Sequence, residues 1–192
     1  MNYRKKIEKI RATAKKACYS PKNKFTETAW EYHILPVVRH SLALGKKLKA
    51  DLAVLEIAAL LHDHAGITDM KLYPSHHIHG AKIAEKILKK YNWPQEKIEA
   101  VKHCIQTHRG SIKLKHKTLE AKILASADAM SHITEPADMF YLTYGVHKYK
   151  TKQGSQWLKK KLERSWKKIM PEGKKMIEKD YNIIMNLLNK AL

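Results

Sequence analysis

Leu52-Ala-Val-Leu-Glu-Ile-Ala-Ala-Leu-Leu-His-Asp63 is the most apolar run of the chain and ends on two polar residues. Every position from Leu52 to Leu61 is apolar except Glu56. A helix apolar on nearly all sides belongs in the middle of a protein. Asp51 stands where an N-cap is needed. His62 and Asp63 close the run, and both are costly to bury unless something pairs with them. A metal ion is the usual partner for that combination.

The remaining sequence predicts more helices around this one. With 192 residues, the chain is long enough for one domain with a real core. Residues 1–192 read as a single all-α domain of about eight helices. Its motif core covers about 25–135, followed by a helical extension over about 136–192. The periodicity places helices at about 3–18, Thr26 to Leu48 with a possible kink at Pro36, Asp51 to Asp63, and Ser75 to Tyr91. Others follow at Pro94 to Arg109-Gly110, Thr118 to Ile133, 153–168 and 171–190. Ser75 is read as the cap of its helix. His64 to Pro74 reads as a loop, and Lys113 to Lys117 as a basic connection. No segment alternates as a strand does.

Composition narrows the function classes. No apolar run approaches the roughly 18 to 20 residues of a membrane span. Met1-Asn-Tyr-Arg-Lys-Lys has no apolar stretch behind it, so no secretory signal is expected. Cys18 and Cys104 lack metal-type spacing and suit a reduced, cytoplasmic setting as small apolar residues. The net charge of +20 suits an anionic partner. However, the lysines are spread along the chain, as in Lys159-Lys160-Lys161 and Lys167-Lys168, with few aromatics between them. They read as solvated helix surface rather than a nucleic-acid interface.

Helical phase sorts the twelve histidines. Ile98, Val101, Ile105 and His108 follow one apolar face, so His108 points inward. His103, about 140° away, is expected in solvent. Trp30, His33, Val37 and Ser41 place His33 inward. His40 shares that stripe, but lies about 10 Å further along it. Ala121, Leu124, Ala125 and Asp128 put an aspartate on an apolar stripe, where desolvation calls for a charge partner. His76 shares a face with Gly80, Ile87 and Tyr91, while His77 and His79 point elsewhere. Any one of these could be a hydrogen-bonded core residue. Together they provide four histidines and two aspartates, a donor set suited to borderline transition metals.

The order His33, His62-Asp63, Asp128 resembles the HD-domain superfamily of metal-dependent phosphohydrolases. The flanking residues are similar too: His33-Ile-Leu-Pro-Val-Val, Ala58-Ala-Leu-Leu-His-Asp63 and Ser126-Ala-Asp128. His76 before Gly80-Ala81, and His108 closing Ala100-Val-Lys-His-Cys-Ile-Gln-Thr-His108, resemble the dinuclear branch. The resemblance implies a central metal site among helices. His33, His62, Asp63 and Asp128 would hold one ion. Asp63 would bridge to a second ion held by His76 and His108, and is the expected catalytic centre. One or two divalent ions (Mn, Fe, Ni, Co or Mg) would activate a hydroxide and clamp a phosphate.

The implied activity is hydrolysis of a phosphomonoester or phosphodiester of an anionic small molecule, a nucleotide by expectation. Arg109 and Lys82 are the expected substrate contacts, although Arg109 equally suits a helix C-terminus. Many relatives carry Gly-Lys soon after the His-Asp pair. Here the chain reads His62-Asp-His-Ala-Gly-Ile67, leaving the general acid unassigned, with His64 and Asp69 nearby. Two alternatives stand beside the hydrolase: a mixed-valent di-iron oxygenase on the same ligands, and a non-catalytic nucleotide- or nucleic-acid-binding protein. For residues from Pro136 onward, core packing is the favoured role over a pocket wall or a dimer surface.

Overall fold

The computed structural model describes residues 2–109 and 114–191. Among these residues the chain is all-helical. In order come α1 (Tyr3–Cys18), α2 (Leu35–Leu48), α3 (Leu52–Leu61), α4 (His64–Thr68), α5 (His76–Lys90) and α6 (Gln95–Thr107). They are followed by α7 (Leu119–Thr134), α8 (Pro136–Phe140), α9 (Thr151–Lys168) and α10 (Pro171–Lys190). The eight expected helices correspond to the eight longer ones, with α4 and α8 as additional single turns. The expected basic connection starts at Lys113, outside the described residues.

α3 occupies the centre, as its composition requires. Leu55, Ile57, Ala58, Ala59 and Leu61 are fully buried. Each large aliphatic side chain so buried contributes roughly 1.5–3 kcal/mol relative to exposure. Asp51 caps the helix, accepting from the Ala53 and Val54 N–H groups at 3.0 and 3.1 Å. Ile57, Leu60 and Leu61 join the apolar cluster formed with α1, α2, α5 and α6. Leu55 instead joins a second cluster, built with α7, α9 and α10. The extension is therefore packed onto the core. Gly173 lets α10 approach α7 closely: a Cβ there would stand 2.9 Å from the Met130 sulfur and 3.2 Å from Ser126 Oγ.

Three local expectations are corrected. The helix expected from Thr26 is distorted rather than simply kinked at Pro36. Trp30–Ile34 forms a π-helical turn, and the Leu35 N–H reaches back to the Trp30 carbonyl. Pro36 follows within two residues of that turn, inside a helical run that is continuous from Thr28. The stretch His64 to Pro74 is not a loop. It contains α4 and a 3₁₀ turn, Met70–Ser75, capped by the Asp69 side chain. Ser75 makes no cap bond, because the chain enters α5 directly from that turn and the His76 N–H already donates to Tyr73 O.

Candidate metal centre

Three of the central histidines sit where helix ends leave carbonyls free. His62 ends α3, His108 ends α6, and His76 opens α5 behind the 3₁₀ turn. Each ring binds back to the carbonyl three residues earlier. His62 Nδ1–H donates to Ala59 O at 2.8 Å, His76 Nδ1–H to Tyr73 O at 2.7 Å, and His108 Nδ1–H to Ile105 O at 2.6 Å. The bonds to Ala59 O and Ile105 O serve carbonyls of the last helical turn, and that to Tyr73 O shares an acceptor with the His76 N–H. They also fix the tautomer, leaving each Nε2 with a lone pair. His33 comes from the π turn, a distortion frequent at functional sites. Its Nδ1 lies 3.1 Å from Ser131 Oγ, which itself donates to Asp128 O at 2.8 Å. The hydroxyl proton is thus committed, so His33 Nδ1 must be the donor, and in the neutral ring Nε2 again carries the lone pair.

The four Nε2 atoms converge in pairs. His33 and His62 approach to 3.1 Å, as do His76 and His108. Two lone pairs at that distance repel unless a cation lies between or beside them. Asp63 stands between the pairs. Its Oδ2 is 3.2 Å from His33 Nε2 and 3.4 Å from His62 Nε2. Its Oδ1 is 3.2 Å from His76 Nε2 and 3.4 Å from His108 Nε2. One carboxylate therefore offers one oxygen to each pair, as a bridging ligand does. Asp128 Oδ1 lies 3.8 Å from His33 Nε2 and 3.6 Å from His132 Nε2. Three overlapping donor groups result: His33/His62/Asp63, Asp63/His76/His108 and His33/Asp128/His132. The donor set and its tautomers fit divalent transition ions.

The electrostatics agree with a cation at this place. Burial pushes His62 down to about 4 and also lowers His76. Burial works against the charged form of His33 too, but the Asp63 carboxylate overrides it and raises the group to about 9. Without metal, one proton on His33 serves as the local cation. Burial opposes ionisation of Asp63 and Asp128. The histidines around Asp63, and Lys168 and His132 beside Asp128, outweigh it and hold both carboxyls well below the usual range.

His33, His62, His76 and His108 surround Asp63, and Asp128 stands beside His33. Gly80 makes the approach of α5 possible, since a Cβ would stand 3.3 Å from His62 O. His40 is buried but turned away, bonding Thr134 Oγ1 at 3.0 Å. His77 is buried and His64 largely so, and neither joins the donor groups. His103 is half-buried rather than solvated, because its Nε2 accepts from the Lys117 N–H at 3.0 Å. Asp69 is exposed in its capping role.

A cavity of about 260 Å³ opens beside the donors. Arg109 lines it and donates to Pro74 O. Lys82 is exposed and does not line it, because His76 and Gly80 take the inward face of α5. Four basic lining residues escaped the sequence reading: His132, Lys161, Arg164 and Lys168. His132 had a signal, standing four residues after Asp128 on the same face of α7. Lys161 and Lys168 belong to lysine runs that read as solvated. Yet Lys168 Nζ lies 2.9 Å from Asp128 Oδ2 and 2.5 Å from His108 O. Burial lowers the Lys161 amine to about 8, and it lies 3.4 Å from His132 Nε2.

Comparison with known proteins places this geometry. A family model described as "HD domain" matches residues 30–133, more than half of the chain. Two solved structures are similar over nearly its whole length. The Lin1889 protein of Listeria innocua is 20% identical, with a TM-score of 0.74, covering 99% of this chain and 95% of its own. Bacillus subtilis YpgQ, solved in complex with ADP, is 19% identical with a TM-score of 0.75 and the same coverages. At that identity the likeness speaks for the fold. No curated protein matches the chain.

Proposed function

We propose that this chain, which belongs to the HD-domain family, is a metal-dependent phosphohydrolase that cleaves a phosphate ester of a nucleotide. The observation carrying this reading is the pairing of four Nε2 lone pairs, two at 3.1 Å on each side of Asp63. Divalent ions at such a centre supply Lewis acidity and a nucleophile usable near neutral pH. His33, His62 and Asp128 would hold one ion, His76 and His108 the other, and Asp63 would bridge them. Arg109 lies on the cavity wall beside the donors and presents its guanidinium to an anion there. The ADP bound by YpgQ supports a nucleotide as the ligand class. The same six ligands would serve dioxygen chemistry at iron, but a wall carrying Arg109, Lys161, Arg164 and Lys168 favours a phosphate substrate.

The test is elemental analysis of protein never exposed to chelator, coupled to a panel of phosphate esters. Mn, Ni, Co, Fe and Mg are added separately. About one to two transition ions per chain are expected, with phosphate release that depends on them. Turnover requiring iron and oxygen without phosphate release would replace this reading by the oxygenase. Protein free of metal and inert to every ester would remove both.

A further inference from the structure

A second, smaller cavity of about 70 Å³ adjoins the donors. His33 and Asp63 line it, but neither His76 nor His108 does. The two cavities share Asp63, His132 and Lys161, so they meet at the proposed bridge. One wall of the smaller cavity is made by Asp138 on α8 and by Tyr141, which opens a second π turn, Tyr141–Val146. This wall lies beyond the stretch that matches the HD-domain model. Phe25 and Tyr73 also line the cavity, their ring centroids 5.4 Å apart. Gly66 makes room for the Tyr73 ring, since a Cβ there would stand 3.1 Å from it.

The cavities differ in charge. Arg109, Lys161, Arg164 and Lys168 line the larger one. In the smaller, Lys161 is the one lysine or arginine among the described residues, and Asp138 adds a carboxylate. Asp138 belongs to none of the donor groups. Its side chain makes no hydrogen bond or ion pair among the described residues. Burial pushes its carboxyl up from the ordinary range, against the pull of His33 and Lys161. An ionised carboxylate only accepts hydrogen bonds, and leaving it half-buried without donors is costly. It also repels a phosphate. The smaller cavity therefore suits a neutral group that has apolar faces and O–H donors on its rim. A sugar ring has both: C–H faces to lie on aromatic rings, and hydroxyls to donate to a carboxylate.

We propose that the smaller cavity is a sugar subsite in which Asp138 accepts hydrogen bonds from two neighbouring hydroxyls. The substrate class narrows to phosphate esters of ribose-type sugars with a free vicinal diol, ribonucleotides included, rather than of deoxy sugars or simple alcohols. This rests on the phosphohydrolase reading for the phosphate held at the metal centre, but sugar recognition can be measured without turnover. Asp138 is the specificity-determining residue, while Phe25, Tyr73 and Tyr141 receive the apolar faces of the ring.

Calorimetric titration of the full metal-loaded chain with two non-hydrolysable phosphonates tests the subsite: that of methyl riboside and that of methyl deoxyriboside. The riboside is expected to bind about tenfold more tightly, as one hydrogen bond to a charged acceptor allows. Asp138→Ala should bring the ratio to about one. Asp138→Asn keeps one acceptor oxygen without the charge and should leave a ratio of about three. Thermal melting checks the folding of both variants, and elemental analysis their metal content. The isosteric Asp138→Asn decides if Asp138→Ala fails to fold. A ratio near one in the unaltered chain overturns the subsite, as does the full ratio surviving in either folded variant. Loss of turnover on every ester in Asp138→Asn, with the full ratio kept, would make Asp138 a proton donor instead. The full ratio without hydrolysis of any ester leaves the subsite standing and removes the hydrolase. Hydrolysis with a ratio near one does the reverse.

Discussion

The two parts of this chain handle charge in opposite ways. Between residues 30 and 133 the polar groups of the centre are tied down. Each of three histidine rings is bonded to a carbonyl of its own turn, and the fourth to a hydroxyl whose proton is already used. In the helices after Pro136 the charged groups facing the larger cavity are long cations, and among the described residues only Lys168 of these is held by a carboxylate. Each arrangement suits a different task. A metal centre needs donor vectors fixed before the ion arrives. A wall that receives a mobile anion needs charge and reach, which lysine and arginine supply without fixed geometry.

Removing the bridge should break the core's side of this contrast most severely. Asp63→Ala takes one oxygen from each histidine pair and is expected to abolish both ions and all turnover. His76→Ala should empty only the second position. Elemental analysis of both variants decides, and full metal occupancy in Asp63→Ala would defeat the bridging assignment.

A second effect is graded by pH. His33 is raised to about 9 in the metal-free chain, so its proton is present throughout the neutral range and must leave when metal binds. Metal affinity should therefore rise about tenfold per pH unit up to about 9 and level off above it. In the metal-free chain the sign for stability is opposite. The His33–Asp63 interaction stabilises the fold fully below the ordinary histidine value of about 6.5 and is lost as pH rises through about 9. Metal titrations at several pH values check the first statement, and a flat profile would count against a proton on His33.

The smallest effect sharpens the contrast from the other side. Gly173→Val pushes α10 away from Met130 and Ser126 on α7. Overpacking of this kind costs about 1–3 kcal/mol. Urea unfolding should show that loss while metal content stays intact, because no donor lies on α10. Loss of metal in this variant would mean that the two parts are mechanically coupled.

Much of this protein was legible in its sequence. The apolar run Leu52–Leu61, the cap at Asp51 and the inward phases of His33, His108 and Asp128 follow from helix geometry and desolvation, both local properties. The order His33, His62-Asp63, Asp128 was legible through its resemblance to HD-domain proteins, which depends on spacing along the chain. What stayed hidden depends on contacts between distant segments. Lys161 and Lys168 look like any surface lysine until α9 is laid across Asp128 and His132. The π turn that aims His33 arises where the helix leads into Pro36, and a repeating pattern does not reveal a widened turn. The His62-Asp63 pair was set by sequence as two buried polar groups in need of a cation. That Asp63 gives one oxygen to each histidine pair follows only from the tertiary structure, because it requires three helix ends and the π turn to meet at one point.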